Sequence, residues 1–176
     1  MTSKFTGRPR PAKRAVLALV GLAAVTVALP ASPAAAATEV GRFHTLAAGA
    51  DMGIDVSGVA ILSRTGDSTW GRVVVIGLQP GLLYAAHLHN LPCSAPNPGG
   101  GHYQDVVGGA VTPPNELWFS STSDPQAGIT ANAGGVAIGR GSADWLARPE
   151  AQSVVIHAIP AGGHTGGGPK IACADL

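Results

Sequence analysis

Short apolar or alternating runs, each closed by glycine or proline, divide this chain so regularly that long helices are excluded. The runs are Ile54 to Leu62, Arg72 to Leu78, Leu83 to His89, Glu116 to Ser120, Gly135 to Arg140, Ser153 to Ala158 and Pro169 to Ala174. Between them stand turn signals such as Thr65-Gly66-Asp67, Gln79-Pro80-Gly81, Asp124 through Gly128, and Gly166-Gly167-Gly168. Only Ala143 to Leu146 hints at a helical turn. Strands of this length with this turn chemistry pack as a sandwich or a barrel, so the expected class is all-β.

The N-terminus reads as an address label. Lys4, Arg8, Arg10, Lys13 and Arg14 form a basic segment without an acid, and Ala15 to Leu29 is apolar as far as Pro30. That run is shorter than the roughly 20 residues a membrane span needs. Ala35 and Ala37 supply small residues for cleavage, so residues 1–37 are expected to be a secretory signal peptide and 38–176 a single β domain. An uncleaved anchor is the alternative. No cysteine lies near the cut to take a lipid, which favours a soluble, secreted product.

With five of eleven basic residues in the signal and all ten acids beyond it, the mature chain carries a net charge of −4 with histidines neutral. That charge argues against a nucleic-acid partner, and no basic tract remains for a membrane surface. Cys93 and Cys173 are an even pair in an oxidising compartment, so a disulfide is expected.

Chemistry concentrates in the histidines. His87 and His89 form an H-x-H pair within a β-like run, which puts both imidazoles on one face of a strand. His102 follows three glycines, and His157 ends a second apolar run. Four imidazoles from three segments suit copper, zinc, iron or nickel, and a tetragonal nitrogen set points to Cu(II). Each cysteine lies close in sequence to one of these segments.

Taken in order, Gly77-Leu78-Gln79-Pro80-Gly81, His87-Leu88-His89, Gly100-Gly101-His102-Tyr103, Val154-Val155-Ile156-His157 and Gly168-Pro169-Lys170-Ile171-Ala172-Cys173 resemble the copper/zinc superoxide dismutases. The likeness spans roughly Val56 to Ala174. It implies an eight-stranded Greek-key barrel with two long loops over a copper site. It also implies that His87, His89 and His157 hold copper alone and that His102 matches the histidine bridging copper to zinc. Cys93 and Cys173 match the family disulfide.

The departures are informative. No histidine follows His102 before Ser121, so the family's remaining zinc ligands are missing. The loop between His157 and Cys173 is short, and the family's arginine before the second cysteine is Lys170. These changes resemble a copper-only branch, implying one copper per chain and no zinc. A metal-bound imidazole is usually held by an outer carboxylate, and Glu116 is the candidate for His102, with Asp105 and Asp124 as competitors. Lys170 is read as a guide for a small anion, offering a point charge rather than a fork. His44 is read as a plain strand histidine. His164 is read as a solvated loop histidine, with a role in access or proton supply as the alternative. Trp70, Trp118 and Trp145 are read as packing residues.

The expected function is therefore a secreted copper-dependent superoxide dismutase. The alternative is an exported copper-binding or copper-buffering protein on the same fold, since fold alone does not guarantee the reaction.

Overall fold

The computed structural model describes residues 36–159 and 165–176. The expected signal segment up to residue 35, and His164, lie outside the described residues. The elements in order are β1 Ala37–Arg42, β2 His44–Thr45, α1 Ala47–Asp51, β3 Ser57–Thr65, β4 Ser68–Ile76, β5 Leu83–His89, β6 Ile129–Thr130, β7 Val136–Ala143, β8 Ser153–Ala158 and β9 Lys170–Asp175. They form two antiparallel sheets, β1-β3-β4-β7 and β2-β9-β8-β5-β6. The first strand is shared between them: after β1, the chain turns at buried Phe43 and β2 joins the second sheet.

Alternation builds the core. On β4, Thr69, Gly71, Val73 and Val75 are buried while Ser68, Trp70 and Ile76 are exposed, a period of two. Ala60, Leu62, Val73 and Val75 of the first sheet meet Tyr84, Ala86, Leu88, Val154 and Ile156 of the second. The β3–β4 hairpin closes on Gly66-Asp67, and Gly66 has φ +58°, the left-handed conformation that such a tight turn demands.

The all-β, Greek-key expectation is met by this sandwich, but the sheets do not close into an eight-stranded barrel. Among the described residues there are nine strands, because β2 and β6 are two-residue stubs at the edges of the second sheet. The strand expected over Glu116 to Ser120 is absent. Leu117 O and Phe119 N bond to β5, whereas Ser120 exchanges both backbone bonds with Arg140 of β7. The segment crosses from one sheet to the other and builds no continuous ladder with either. No helical turn forms at Ala143 to Leu146: β7 runs through Ala143, and Thr69 Oγ1 then fixes the bend by donating to Trp145 O and accepting from Ala147 N.

Cys93 and Cys173 form a disulfide that ties the long segment after β5 to β9 across 80 residues. Closing a loop of that size stabilises by about 4 kcal/mol in the chain-entropy description. A C93A/C173A variant should keep its sheet circular dichroism but unfold at clearly lower guanidinium concentration. An unchanged midpoint would show that the tie contributes nothing to stability.

Candidate metal centre

The second sheet has two covered faces. On β5, Tyr84, Ala86 and Leu88 enter the core, so His87 and His89 point the opposite way. On β8, Val154 and Ile156 enter the core, which places His157 on that same outer face. Val155 stands opposite His87, so His157, two residues on, is its diagonal neighbour. A register shift between Ile156 and His157 pairs His157 with Lys170. All three imidazoles are buried.

His102 reaches the group from the loop after β5. The chain folds back along β5, with Asn90 N donating to Gly101 O at 3.1 Å and Tyr103 N to Leu88 O at 2.8 Å, so His102 bridges His89. The turn depends on Gly99, whose φ of +74° is left-handed and whose Cβ would meet Val155 Cγ2 at 2.5 Å. His102 then lies with its ring centre 4.2 Å from that of His87 and 4.9 Å from that of His89. One nitrogen from each of His87, His89, His102 and His157 falls within 4.8 Å of the others.

Fixed acceptors set the tautomers. His87 Nε2 donates to Thr165 O at 2.6 Å, and His157 Nδ1 to Gly168 O at 2.9 Å. His102 Nδ1 donates to Glu116 Oε2 at 2.6 Å. Each of these three rings therefore carries its proton on the side away from the cluster and turns a lone pair inward. His87 Nδ1 and His89 Nδ1 are both buried without a hydrogen-bond partner, and His89 Nε2 and His157 Nε2 face each other at 3.2 Å. Converging buried lone pairs without donors are a poor arrangement for any ligand except a cation, and the donor set fits a nitrogen-preferring transition metal.

Electrostatics agree. Burial first, then the charges of His102, His157 and His89, hold His87 well below its ordinary value, with the Thr165 carbonyl opposing. His89 is lowered by burial and by His157, His102 and Lys170, with the Gly100 backbone opposing. His157 is pushed down to about 4, mainly by burial, against the Gly168 carbonyl. These rings stay neutral, as metal ligands must.

Glu116 lies under the cluster. It is buried, and its carboxylate accepts from His102, from Trp118 Nε1 at 2.8 Å and from Gln104 Nε2 at 3.1 Å. Burial pushes its carboxyl up, but the bonds from His102 and Trp118, the His102 charge and the Gln104 bond outweigh that and hold it below the usual range. The competitors are engaged elsewhere: Asp105 pairs with Arg148, and Asp124 accepts from Gln126 N. Trp118 does more than pack, since it orients Glu116 and its ring centre is 4.6 Å from that of His87. The Glu-x-Trp spacing carried the signal, because alternate residues of an extended segment share a face. Trp145 packs on Tyr103 and donates to Pro114 O, whereas Trp70 is exposed and does not pack in the core.

Lys170 does not present a free ammonium. Nζ donates to Asn97 Oδ1, Pro98 O and Gly100 O, which uses all three of its protons to pin the loop before His102. Its charge still reaches His89 and His157. His44 is an exposed strand residue opposite Cys173 and stands outside the four-histidine group.

The buried neutral rings fix the sign of the pH dependence. The unfolded chain takes up protons near pH 6.5 and the folded chain does not, so stability of the metal-stripped protein falls as pH drops from about 6.5 toward 4. Each ring still neutral at pH 5 costs about 2 kcal/mol relative to pH 7.5. Urea unfolding of stripped protein should show a much lower midpoint at pH 5.0 than at pH 7.5. Equal midpoints would mean that the rings protonate freely in the folded state.

Neither a family model nor a curated protein sequence matches the chain. A solved structure does: that of a Cu/Zn superoxide dismutase from Brucella abortus, with a TM-score of 0.52 and 19% identity, covering 80% of this chain and 99% of that one. At that identity the likeness speaks for architecture: this chain has the fold of a copper/zinc superoxide dismutase.

Proposed function

We propose that the chain is an exported, copper-only superoxide dismutase, converting two superoxide anions and two protons to dioxygen and hydrogen peroxide. The observation that carries this reading is the convergence of four histidine nitrogens on a superoxide dismutase-like fold, with the outer nitrogen of His102 held by a buried carboxylate. When bound, copper would supply the one-electron redox chemistry that both halves of the reaction need. Everything else is supplied by the chain.

His87, through Nδ1, and His89 and His157, through Nε2, would hold the copper throughout. His102 would be the fourth, through Nε2, the nitrogen on the far side of its ring from Glu116. Glu116 keeps the His102 proton on Nδ1 and the ring in place. The absence of zinc is supported by the same contact, because the nitrogen that would bridge to a second metal is already hydrogen-bonded to Glu116. Lys170 contributes a positive field beside His89 and His157, drawing in a small anion without a direct bond. The disulfide fits an oxidising destination, and the expected signal peptide provides the route.

A copper-buffering protein would use the same ligands, so turnover decides between the two. Protein loaded with both metals should retain about one copper and negligible zinc per chain, the content of a single four-histidine site. Its superoxide turnover per copper should match or exceed that of free copper. One tightly held zinc would contradict the copper-only reading, and one copper with negligible turnover would favour buffering.

Glu116→Gln tests the positioning role. Removing an outer partner of a metal-bound histidine costs about 10–100-fold in affinity or activity. The variant should fold, retain reduced copper, and lose most activity at high pH, where proton supply limits the rate. A uniform loss across pH, or none, would remove Glu116 from the proton step.

A further inference from the structure

Six basic residues follow the expected signal. Three are engaged: Arg64 with Glu39, Arg148 with Asp105 and Glu150, and Lys170 with the loop before His102. Among the described residues, the other three, Arg42, Arg72 and Arg140, form no ion pair or hydrogen bond to an acid. All three project from the outer face of the first sheet, on the far side of the sandwich from the histidines.

The register makes this arrangement costly. Arg72 of β4 stands directly opposite Arg140 of β7. Like charges directly opposite one another destabilise a sheet. Arg72 Nε is, in addition, buried without a hydrogen-bond partner. No acid projects outward from any of the four strands to relieve the pair: the outward residues of β4 and β7 are serine, tryptophan, arginine, valine and isoleucine. A chain with an excess of acids thus sets two arginines side by side without an ion pair to either.

They border a groove of about 690 Å³, also lined by Trp70, Thr122, Ser123 and Ser142. Trp70 is 47% exposed, which is unusual for so large an apolar side chain. A guanidinium pair is suited to an oxyanion, which each fork can bind in two places. A bare anion, however, would leave the exposed indole and the hydroxyls of Ser123 and Ser142 without a role, whereas the Thr122 hydroxyl is engaged with Asp124 and Ser120. An indole offers a flat apolar face on which the C–H face of a sugar ring packs, and the hydroxyls match those of a saccharide. Arg42 lies two strands over and two residues along from Arg72, about 12 Å away by strand geometry, within reach of a second charge on one oligomer.

We propose that this groove binds an acidic saccharide. Its carboxylate or sulfate bridges Arg72 and Arg140, its ring lies on Trp70, and Ser123 and Ser142 bond its hydroxyls. The site is independent of the metal reading, because none of its residues touches a histidine of the cluster.

The test is calorimetric titration of the metal-loaded protein at moderate salt with four probes: an oligogalacturonate, a sulfated dextran oligosaccharide, neutral dextran of the same length, and inorganic sulfate. An oligodeoxythymidylate serves as a polyanion without sugar acids. One or both acidic saccharides should bind, more tightly than sulfate or the oligonucleotide, and neutral dextran should not. R72Q/R140Q should weaken binding about tenfold or more, as loss of charge-assisted bonds implies. Trp70→Ala should weaken it as well, while R148Q, which removes the same charge elsewhere, should not. Copper content should be unchanged in each, and R140Q should unfold at an equal or higher midpoint because it relieves like-charge repulsion. The proposal is overturned if R72Q/R140Q binds as wild type does, if sulfate alone matches the saccharides, or if the oligonucleotide binds best.

Discussion

Three buried imidazoles held neutral, and a fourth, His102, oriented by Glu116, form the arrangement on which the rest of the site depends. A buried lone pair without a donor costs about 1–3 kcal/mol, and here several converge. The fold holds them there through contacts remote from the cluster: Thr165 and Gly168 carbonyls, and the Glu116 carboxylate. Each acceptor fixes one ring's tautomer and so chooses the nitrogen that faces inward. Glu116 is fixed in turn by Trp118 and Gln104, so the orientation of His102 is set two contacts away.

The sandwich makes this arrangement rigid. His87, His89 and His157 ride on adjacent central strands of the second sheet, where the ladder sets their spacing. His102 has no strand of its own and depends on the fold-back of its loop. That loop is pinned at several points: Gly99 against Val155, the disulfide to β9, and Lys170 reaching Asn97, Pro98 and Gly100. Lys170 is thereby both a brace and a source of positive field, and its three bonds explain why a lysine suits this position. An arginine's planar fork does not match three acceptors gathered around one point.

Legibility in the sequence followed burial. The bounds of β5 and β8 could be read directly, since both strands are buried along almost their whole length and their apolar runs are interrupted only by the histidines and Ser153. β1 could not, because an edge strand with most of its residues exposed carries little apolar pattern. α1 is too short, and lacks a capping side chain, to leave a helical signature. The histidine set was legible from H-x-H spacing and order, and Glu116 from the need for an outer carboxylate. The backbone carbonyls that fix His87 and His157 were not, because any residue can supply them. The opposition of Arg72 and Arg140 was invisible for another reason: it exists only once strand register is known.

The central claim is that all four histidines present nitrogen to one metal, with His102 as the conditional member. Nitrogen superhyperfine structure in the electron paramagnetic resonance spectrum of the Cu(II)-loaded protein tests it most directly. The account predicts a tetragonal signal coupled to four nitrogens, with three remaining in His102→Ala. A signal with fewer nitrogens in the wild-type protein, or one unchanged in His102→Ala, would contradict it.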